Sequence, residues 1–223
     1  MIELDLALLA RRLGERGVIV APDVLPMALP AAWAHYDERV QAGLGHPWRE
    51  LMTVLLTGAG VEDARDHAEW LWTEQPTCNL WRSPIDDMVE LAQELAAGGA
   101  TLAVLSNSEG RLAELLAEVG ADRPFRAIID SGRVGFEKPD PRIFAHTLAT
   151  LGAVGALGAG HAPGSPSPIH IGDSWAADVV GARGVGWRAI WFGRNATPID
   201  DPDIAIAHDA AGVRAAIARW SEP

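Results

Sequence analysis

Three stretches of the sequence end in polar residues that could bind a phosphorylated compound. Ser106 and Asn107 close LAVLSNS, Lys138 lies in GFEKPDP, and Asp173 and Asp178 follow the apolar run in IHIGDSWAAD. Paired carboxylates suit Mg²⁺, which prefers oxygen ligands and keeps several waters. A nearby lysine would hold a bound phosphate, and a hydroxyl with its neighbouring amides would donate to phosphate oxygens. This combination predicts phosphoryl chemistry, although the set lacks a nucleophile and an activated water.

Each of these residues also has a purely structural interpretation. Ser106 could cap a helix, and Lys138 could be a solvated loop cation. Asp173 could cap a helix that begins near Trp175. Taken singly, the structural interpretations are at least as good as the functional ones. The appearance of all three stretches in one order, each just after a strand or helix boundary, favours a shared site.

The sequence after residue 83 alternates between helices and short apolar strands. The predicted strands are TLAVLSNS, RAIID, PIHIGDS, RAIWFG and IAIAHDA. A helix over SPIDDMVELAQELAAGG is predicted with Ser83 as its cap and Pro84 in its first turn. Strand–helix alternation with continuous apolar strands predicts a parallel sheet covered on both faces, with ligands bound at the carboxyl ends of the strands.

The first part of the chain reads as helical. DLALLARRLGER (5–16) predicts a helix capped by Asp5 and ended by Gly17. Three more helical patterns, broken by Gly and Pro, run from Pro22 to about Glu74. Four tryptophans lie there at helical spacing, which favours core packing over stacking on a substrate. They are Trp33, Trp48, Trp70 and Trp72.

Two glycine-rich stretches resemble nucleotide-binding loops only superficially. GAVGALGAGHAPGSPSP (152–168) has no strand leading into it, and its prolines spoil the helix start that a phosphate cradle requires. It is expected to be an extended, flexible surface connector. GARGVG (181–186) ends a helix instead of beginning one, so it also fails as a phosphate loop.

Composition excludes several classes of function. The formal net charge of −12 is spread along the chain, which argues against nucleic-acid binding because that needs a Lys/Arg surface. No stretch approaches the roughly 18 uninterrupted apolar residues of a membrane span. Charged residues interrupt MIELDLALLARRLGERG, so it is not a signal peptide. Cys78 is the only cysteine, so no intrachain disulfide can form. We expect a soluble, cytoplasmic protein.

LAVLSNS, GFEKPDPRIF and HIGDSWAAD resemble motifs II, III and IV of the haloacid dehalogenase-like (HAD) hydrolase superfamily. The resemblance runs from about Ser83 to Gly193 and implies a three-layer, Rossmann-like α/β core with an inserted all-helical cap domain. It also implies roles for single residues. Ser106, with Asn107, binds the phosphoryl group; Lys138 neutralises nucleophile and phosphate; Asp173 coordinates Mg²⁺, with Asp178 supporting the metal directly or through water. Metal-binding acids favour a phosphatase over a true dehalogenase, which needs no metal.

The family's first motif, D-x-D-G-T at the end of the first strand, has no counterpart here. The early acids Glu3 and Asp5 follow no predicted strand and precede no Gly-Thr. That strand lies at the middle of the family's sheet, between the strands that end at Ser106 and at Asp173. The first central strand is therefore expected to be missing, with about ten residues lost upstream of Met1 through a misplaced start codon.

The resulting division of the chain has three parts. Residues 1–17 form a remnant after the missing strand and the start of the cap, residues 18–82 the helical cap, and residues 83–223 the α/β core. The expected function is Mg²⁺-dependent hydrolysis of a small phosphorylated metabolite through an aspartyl-phosphate, with the 223-residue chain itself inactive. The alternative is a catalytically inactive relative that binds phosphate compounds or a partner protein.

Overall fold

The computed structural model describes residues 1–156, 167–193 and 199–221. These residues divide into two compact units. One unit is Ile2–Pro84, and the other comprises Met1 together with Ile85–Pro223. The division falls at Pro84, and the predicted division into residues 1–17, 18–82 and 83–223 stays a prediction.

Helices make up most of the unit Ile2–Pro84. They are α1 (Leu6–Gly14), α2 (Val24–Gln41), α3 (Trp48–Gly58) and α4 (Ala64–Glu74). As predicted, Asp5 caps α1, since its Oδ1 accepts a hydrogen bond from Leu8 N at 2.7 Å. Buried aliphatic side chains from α1 and α3 supply much of the core of this unit. They are Leu9, Leu13, Leu51, Met52, Leu55 and Leu56.

The tryptophans of this unit divide between core and partly exposed positions. Trp48 is only 2% exposed, which confirms the core-packing prediction for that residue. Trp33, Trp70 and Trp72 are half-buried. The guanidinium of Arg12 lies over the Trp70 ring, 4.7 Å from its centroid, so cation–π contact covers part of that exposed aromatic surface.

A short antiparallel ribbon contains Ser83 and Pro84, which the sequence predicts as the cap and first turn of a helix. Strand β1 (Ile2–Leu4), which no sequence pattern predicts, pairs with β2 (Trp81–Pro84). Ser83 lies in β2 opposite Glu3, so it is not a helix cap. The next helix, α5 (Asp86–Ala97), begins after Ile85 without a side-chain cap. Pro84 is tolerated because it ends an edge strand, where its missing N–H is not required.

The unit Ile85–Pro223 alternates strands and helices, as the sequence predicts. After α5 come β3 (Ala103–Ser106), α6 (Leu112–Glu118), β4 (Ala127–Asp130), α7 (Ser131–Val134) and α8 (Pro141–Ala153). Then follow β5 (Ile169–Gly172), a π-helical turn (Trp175–Val180), α9 (Gly181–Gly184), β6 (Arg188–Phe192), β7 (Ile204–Ala207) and α10 (Ala210–Ser221). The predicted connector 152–168 lies mostly outside the described residues.

The strands of this unit form two parallel sheets instead of one. β3 pairs with β4, and β5, β6 and β7 follow one another in the second sheet. Within the described residues no strand joins β3 to β5. The break therefore falls where the HAD resemblance predicts a missing central strand.

Helices cover both faces of the strands. Successive residues of β6 show this, because Ala189 packs into one hydrophobic cluster and Ile190 into another. The first cluster contains Leu105 of β3 and Phe144 of α8, and the second contains Val213 of α10. This three-layer α/β arrangement confirms the predicted fold class. No helix among residues 1–156, 167–193 and 199–221 is long and apolar enough to cross a membrane.

Phe144 anchors one layer of this core. It is 1% exposed and packs edge-on against His170 and Trp187, with ring centroids 5.7 and 5.3 Å away. We expect Phe144→Ala to lower the free energy of unfolding by about 3–5 kcal/mol, because it removes apolar contacts and leaves a cavity. Urea denaturation followed by circular dichroism measures this. Phe136→Ala, at a half-buried ring, is the control and costs less; equal losses would contradict the assignment of Phe144 to the core.

Candidate functional site

Lys138 links the two parallel sheets at the carboxyl ends of their strands. It lies in the loop between α7 and α8, and only 8% of it is exposed, so it is not a solvated loop cation. Its Nζ donates to Leu105 O of β3 at 2.9 Å and to Asp178 Oδ1 at 2.6 Å. The loop thus delivers one buried positive charge to the break between β3 and β5.

Asp178 receives three donors and is 4% exposed. Besides Lys138, His170 Nε2 bonds Oδ1 at 2.8 Å, and Ser174 N donates to Oδ2 at 3.0 Å. Burial by itself would raise the pKa of Asp178, but the charge of Lys138 and the His170 hydrogen bond outweigh it and hold the pKa well below its usual range. Asp178 is therefore a buried carboxylate that stays ionised.

His170 lies in β5 as the neutral partner of this group. Burial lowers the pKa of His170, and the hydrogen bond with Asp178 opposes that shift without cancelling it. Because an ionised carboxylate only accepts hydrogen bonds, Nε2 carries the ring proton. The strand thus contributes an orienting hydrogen bond and no second positive charge.

Gly172 is required by the position of Asp178. A Cβ built on Gly172 would overlap the Asp178 carboxylate, so any larger residue would displace it. The backbone then turns, and Ser174 caps the π-helical turn by accepting from Ala177 N at 3.1 Å. The cap of this helix is therefore Ser174, and the capping interpretation of Asp173 is wrong.

Asn107 fixes the Lys138 backbone. Its Oδ1 accepts from Lys138 N at 2.8 Å, and its Nδ2 donates to Lys138 O at 3.0 Å. Ser106 Oγ donates to Asn107 O at 3.3 Å, and the following helix, α6, has Arg111 at its N-cap, so Ser106 does not cap it. The phosphate-binding roles of Ser106 and Asn107 stay predictions, while the structure gives Asn107 a positioning role that the sequence did not indicate.

Asp173 is the exposed acid of the group, directly after β5. Its backbone carbonyl accepts from Trp191 Nε1 at 3.1 Å. This hydrogen bond ties the end of β5 to the neighbouring strand β6. The two carboxylates of the predicted pair therefore differ in kind: Asp173 faces solvent, whereas Asp178 is enclosed by donors.

Sequence reasoning missed two members of the site, His170 and the carbonyl of Leu105. A signal for His170 was present, because a histidine inside an otherwise apolar strand needs a buried hydrogen-bond partner. No sequence signal marks a particular backbone carbonyl. The structure brings Ser106, Asn107, Lys138 and Asp178 to one edge of the α/β unit, with Asp173 at the end of β5.

The sequence profile of the haloacid dehalogenase-like hydrolases matches residues 9–186, which is most of the chain. The chain belongs to this family. Among curated relatives, it is 34% identical to haloacid dehalogenase-like hydrolase domain-containing protein 3 of Bos taurus, over 66% of this chain and 58% of the relative. It is 32% identical to a phosphoserine phosphatase of Thermus thermophilus, over 80% of this chain and 70% of that protein. The match thus spans less than two thirds of the bovine relative's length.

Solved structures agree on the fold of this HAD-like hydrolase. The HAD hydrolase YfnB of Bacillus subtilis, crystallised with magnesium, has a TM-score of 0.65 and 17% identity, covering 96% of this chain and 92% of YfnB. A dehalogenase crystallised with an intermediate complex has a TM-score of 0.59 and 18% identity, covering 95% and 91% of the two chains. At these identities the likeness concerns the fold alone.

The described residues of this HAD-like hydrolase do not by themselves form a magnesium site. They contain no group of three or more His, Cys, Asp or Glu side chains that could hold a metal ion. Asp173 offers an exposed carboxylate, but Asp178 already accepts from Lys138, His170 and Ser174. Because Mg²⁺ keeps several waters and binds through one or two carboxylates, it would need waters or a bound phosphate as further oxygen ligands, and the metal-binding roles of Asp173 and Asp178 stay predictions.

The ion pair between Lys138 and Asp178 gives a stability prediction. Asp178→Asn leaves a buried lysine without its counter-charge, so we expect the free energy of unfolding to fall by about 3–5 kcal/mol. Chemical denaturation at neutral pH measures the loss. Asp173→Asn is the matched control, since the same change at an exposed acid costs at most about 1 kcal/mol. Similar losses at the two positions would show that burial of the pair is not what stabilises the unit.

Proposed function

We propose that the protein is a Mg²⁺-dependent phosphatase that acts on a small phosphorylated metabolite. The observation that carries the proposal is the buried Lys138, which Leu105 O and Asp178 hold at the carboxyl ends of two parallel sheets. Ligands of parallel α/β folds bind at that edge. The resemblance to a phosphoserine phosphatase supports the choice of phosphatase within the HAD family and makes phosphoserine a substrate to test.

The proposed reaction has two steps, formation of an aspartyl-phosphate and its hydrolysis. A carboxylate oxygen attacks phosphorus of the phosphomonoester, the P–O bond to the substrate breaks, and the leaving oxygen takes a proton from solvent water and departs as an alcohol; hydrolysis in the second step returns that proton to solvent. Water then attacks the aspartyl-phosphate and releases inorganic phosphate and the free carboxylate. Lys138 offsets the negative charge that carboxylate and phosphate bring together. Ser106 donates its hydroxyl to a phosphate oxygen, and Asn107 keeps Lys138 in place.

The attacking carboxylate is proposed to come from a strand outside the described residues. Such a strand would pair with the facing edges of β3 and β5, which lie in separate sheets. Its carboxyl end would place an aspartate beside Lys138. It would also supply a carboxylate that, with Asp173, waters and the phosphate, completes the oxygen ligands of Mg²⁺.

One observation favours a second candidate, a non-catalytic HAD-like protein that binds phosphate compounds or a partner. Lys138 and Asp178 already satisfy one another in the described residues, at 2.6 Å. A protein that retains this pair for stability alone would keep its fold without turning over a phosphomonoester. Activity measurements on the two lengths of the chain separate the candidates.

The test compares the 223-residue chain with the protein read upstream in frame. We expect the longer protein to hydrolyse p-nitrophenyl phosphate with Mg²⁺ and to lose activity with EDTA, while the 223-residue chain is inactive. Asp173→Asn in the longer protein should lower kcat by at least about 100-fold, because it removes a metal ligand. Release of inorganic phosphate from p-nitrophenyl phosphate and from phosphoserine measures this.

Asp122→Asn, an acid in the loop after α6, is the matched control and should retain full activity. An in-frame stop codon between the Met1 codon and any upstream D-x-D-G-T or D-x-G-G-T sequence would overturn the proposal that an upstream strand supplies the attacking carboxylate. An inactive longer protein, with Asp173→Asn behaving identically, would overturn the phosphatase proposal and favour the non-catalytic candidate.

A further inference from the structure

Asp130 is a buried acid at the carboxyl end of β4, and the proposed reaction does not use it. Its register partner is Ser106, the last residue of β3. Burial of a carboxylate costs free energy unless hydrogen-bond donors satisfy its oxygens. The donors around Asp130 therefore indicate what this residue holds in place.

The carboxylate of Asp130 accepts three backbone hydrogen bonds. Its Oδ1 accepts from Gly110 N at 3.0 Å and from Gly132 N at 2.9 Å. Its Oδ2 accepts from Leu112 N at 2.9 Å. Gly110 precedes α6 and Leu112 begins it, whereas Gly132 lies in α7. One side chain thus joins the segment that follows β3 to the start of α7.

The two residues after Asp130 add to this connection, and we refer to residues 130–132 as the β4 clamp. Ser131 Oγ accepts from Ser108 N at 2.9 Å and donates to Ser108 O at 3.1 Å. Gly132 N also donates to Ser108 O, at 3.0 Å. A Cβ built on Gly132 would lie 2.7 Å from Gly110 N and from Ser108 O, so glycine is required for this close approach of two backbones.

Both segments that the β4 clamp joins continue into the candidate site. Asn107 directly precedes the clamped residues, and Lys138 lies in the loop that follows α7. Asn107 Oδ1 accepts from Lys138 N at 2.8 Å, and Asn107 Nδ2 donates to Lys138 O at 3.0 Å. The same two segments are therefore bonded to each other at two places, at the clamp and at Lys138.

We propose that Asp130 is a positioning residue that holds Asn107 and Lys138 in place for the proposed hydrolysis. It acts through the backbone of the segments it joins, and not through contact with the substrate. Misplacement of a reacting group by about 1 Å can cost about 100-fold in rate. The expected effect on rate rests on the proposed phosphatase activity, whereas the positioning of Lys138 is measured without it.

Two substitutions remove the hydrogen bonds of Asp130 in steps. Asp130→Ala removes all three. Asp130→Asn keeps one acceptor oxygen, but its NH2 group cannot accept the remaining N–H, so its effect should be smaller. Asp209→Ala is the matched control, because Asp209 Oδ1 accepts from Gly212 N at 2.7 Å at the start of α10. That helix follows β7, which β6 separates from β5.

Amide hydrogen exchange, followed by NMR on the 223-residue protein, tests the positioning. The reporter is the Lys138 N–H, and the reference is the Ala189 N–H of β6, which donates to Asp203 O at 2.9 Å. Asp130→Ala should speed exchange at Lys138 at least about tenfold more than at Ala189, because the loop opens locally while the sheet stays folded. Asp209→Ala should change exchange at both amides by the same factor.

Asp130→Asn gives the same comparison in a variant that retains part of the hydrogen bonding, so the test does not depend on the folding of Asp130→Ala. Equal factors at Lys138 and Ala189 in the Asp130 variants would overturn the proposal, since Asp130 would then act only through the stability of the whole unit.

The rate is measured on the longer protein, read upstream in frame. Asp130→Asn should lower kcat for p-nitrophenyl phosphate at least about tenfold, and Asp209→Ala should leave it unchanged. The loss should persist well below the midpoint of thermal unfolding, where both variants are folded by circular dichroism. A loss that disappears there would overturn the proposal, because partial unfolding would then account for it.

The two measurements distinguish this proposal from the proposed function. Faster exchange at Lys138 in the Asp130 variants, together with an inactive longer protein, would support the positioning of Lys138 and overturn only the phosphatase. An active longer protein with unchanged exchange at Lys138 would overturn only the role of Asp130.

Discussion

The buried ion pair of Lys138 and Asp178 is the constraint on which the α/β unit depends. Two opposite charges removed from water are tolerated only when their remaining donors and acceptors are also satisfied. Here Leu105 O accepts the second hydrogen bond of Lys138, and His170 and Ser174 N occupy the oxygens of Asp178. Gly172 leaves room for the carboxylate, and Asn107 fixes the loop that brings the lysine. Three separate segments, residues 105–107, Lys138 and residues 170–178, therefore have to meet correctly around one pair.

That pair also lies at the break in the sheet. Lys138 bonds both Leu105 O, at the carboxyl end of β3, and Asp178, which follows β5 in the sequence. No described strand joins β3 to β5. A cation held there is suited to a second negative charge, which is why a carboxylate and a phosphate at this edge form the proposed reaction centre. The same geometry explains why the described residues alone offer few ligands to a metal: one carboxylate of the predicted pair is already used by the lysine.

Sequence reasoning was reliable where a short-range rule applies. Asp5 caps α1, and the strands that lead to Ser106 and Asp173 lie where apolar runs predict them. The prediction of a helix cap at Ser83 was wrong. Ser-Pro is typical of a helix start but also fits the end of an edge strand, and only the pairing of Ser83 with Glu3 decides between the two. Sequence reasoning also failed to separate Asp173 from Ser174 as the cap, since both residue types suit that position.

By itself, the sequence determined the order of the strands and helices and the residue types at the strand ends, because hydrophobic period and capping act within a few residues. Tertiary structure decided which of two nearby carboxylates is buried, since Asp178 and Lys138 are 40 residues apart and meet only through the fold. It also decided that the core strands form two sheets and that Asp130 bonds the segment after β3. These features depend on contacts between segments that are distant in the sequence, and no local sequence pattern encodes such contacts.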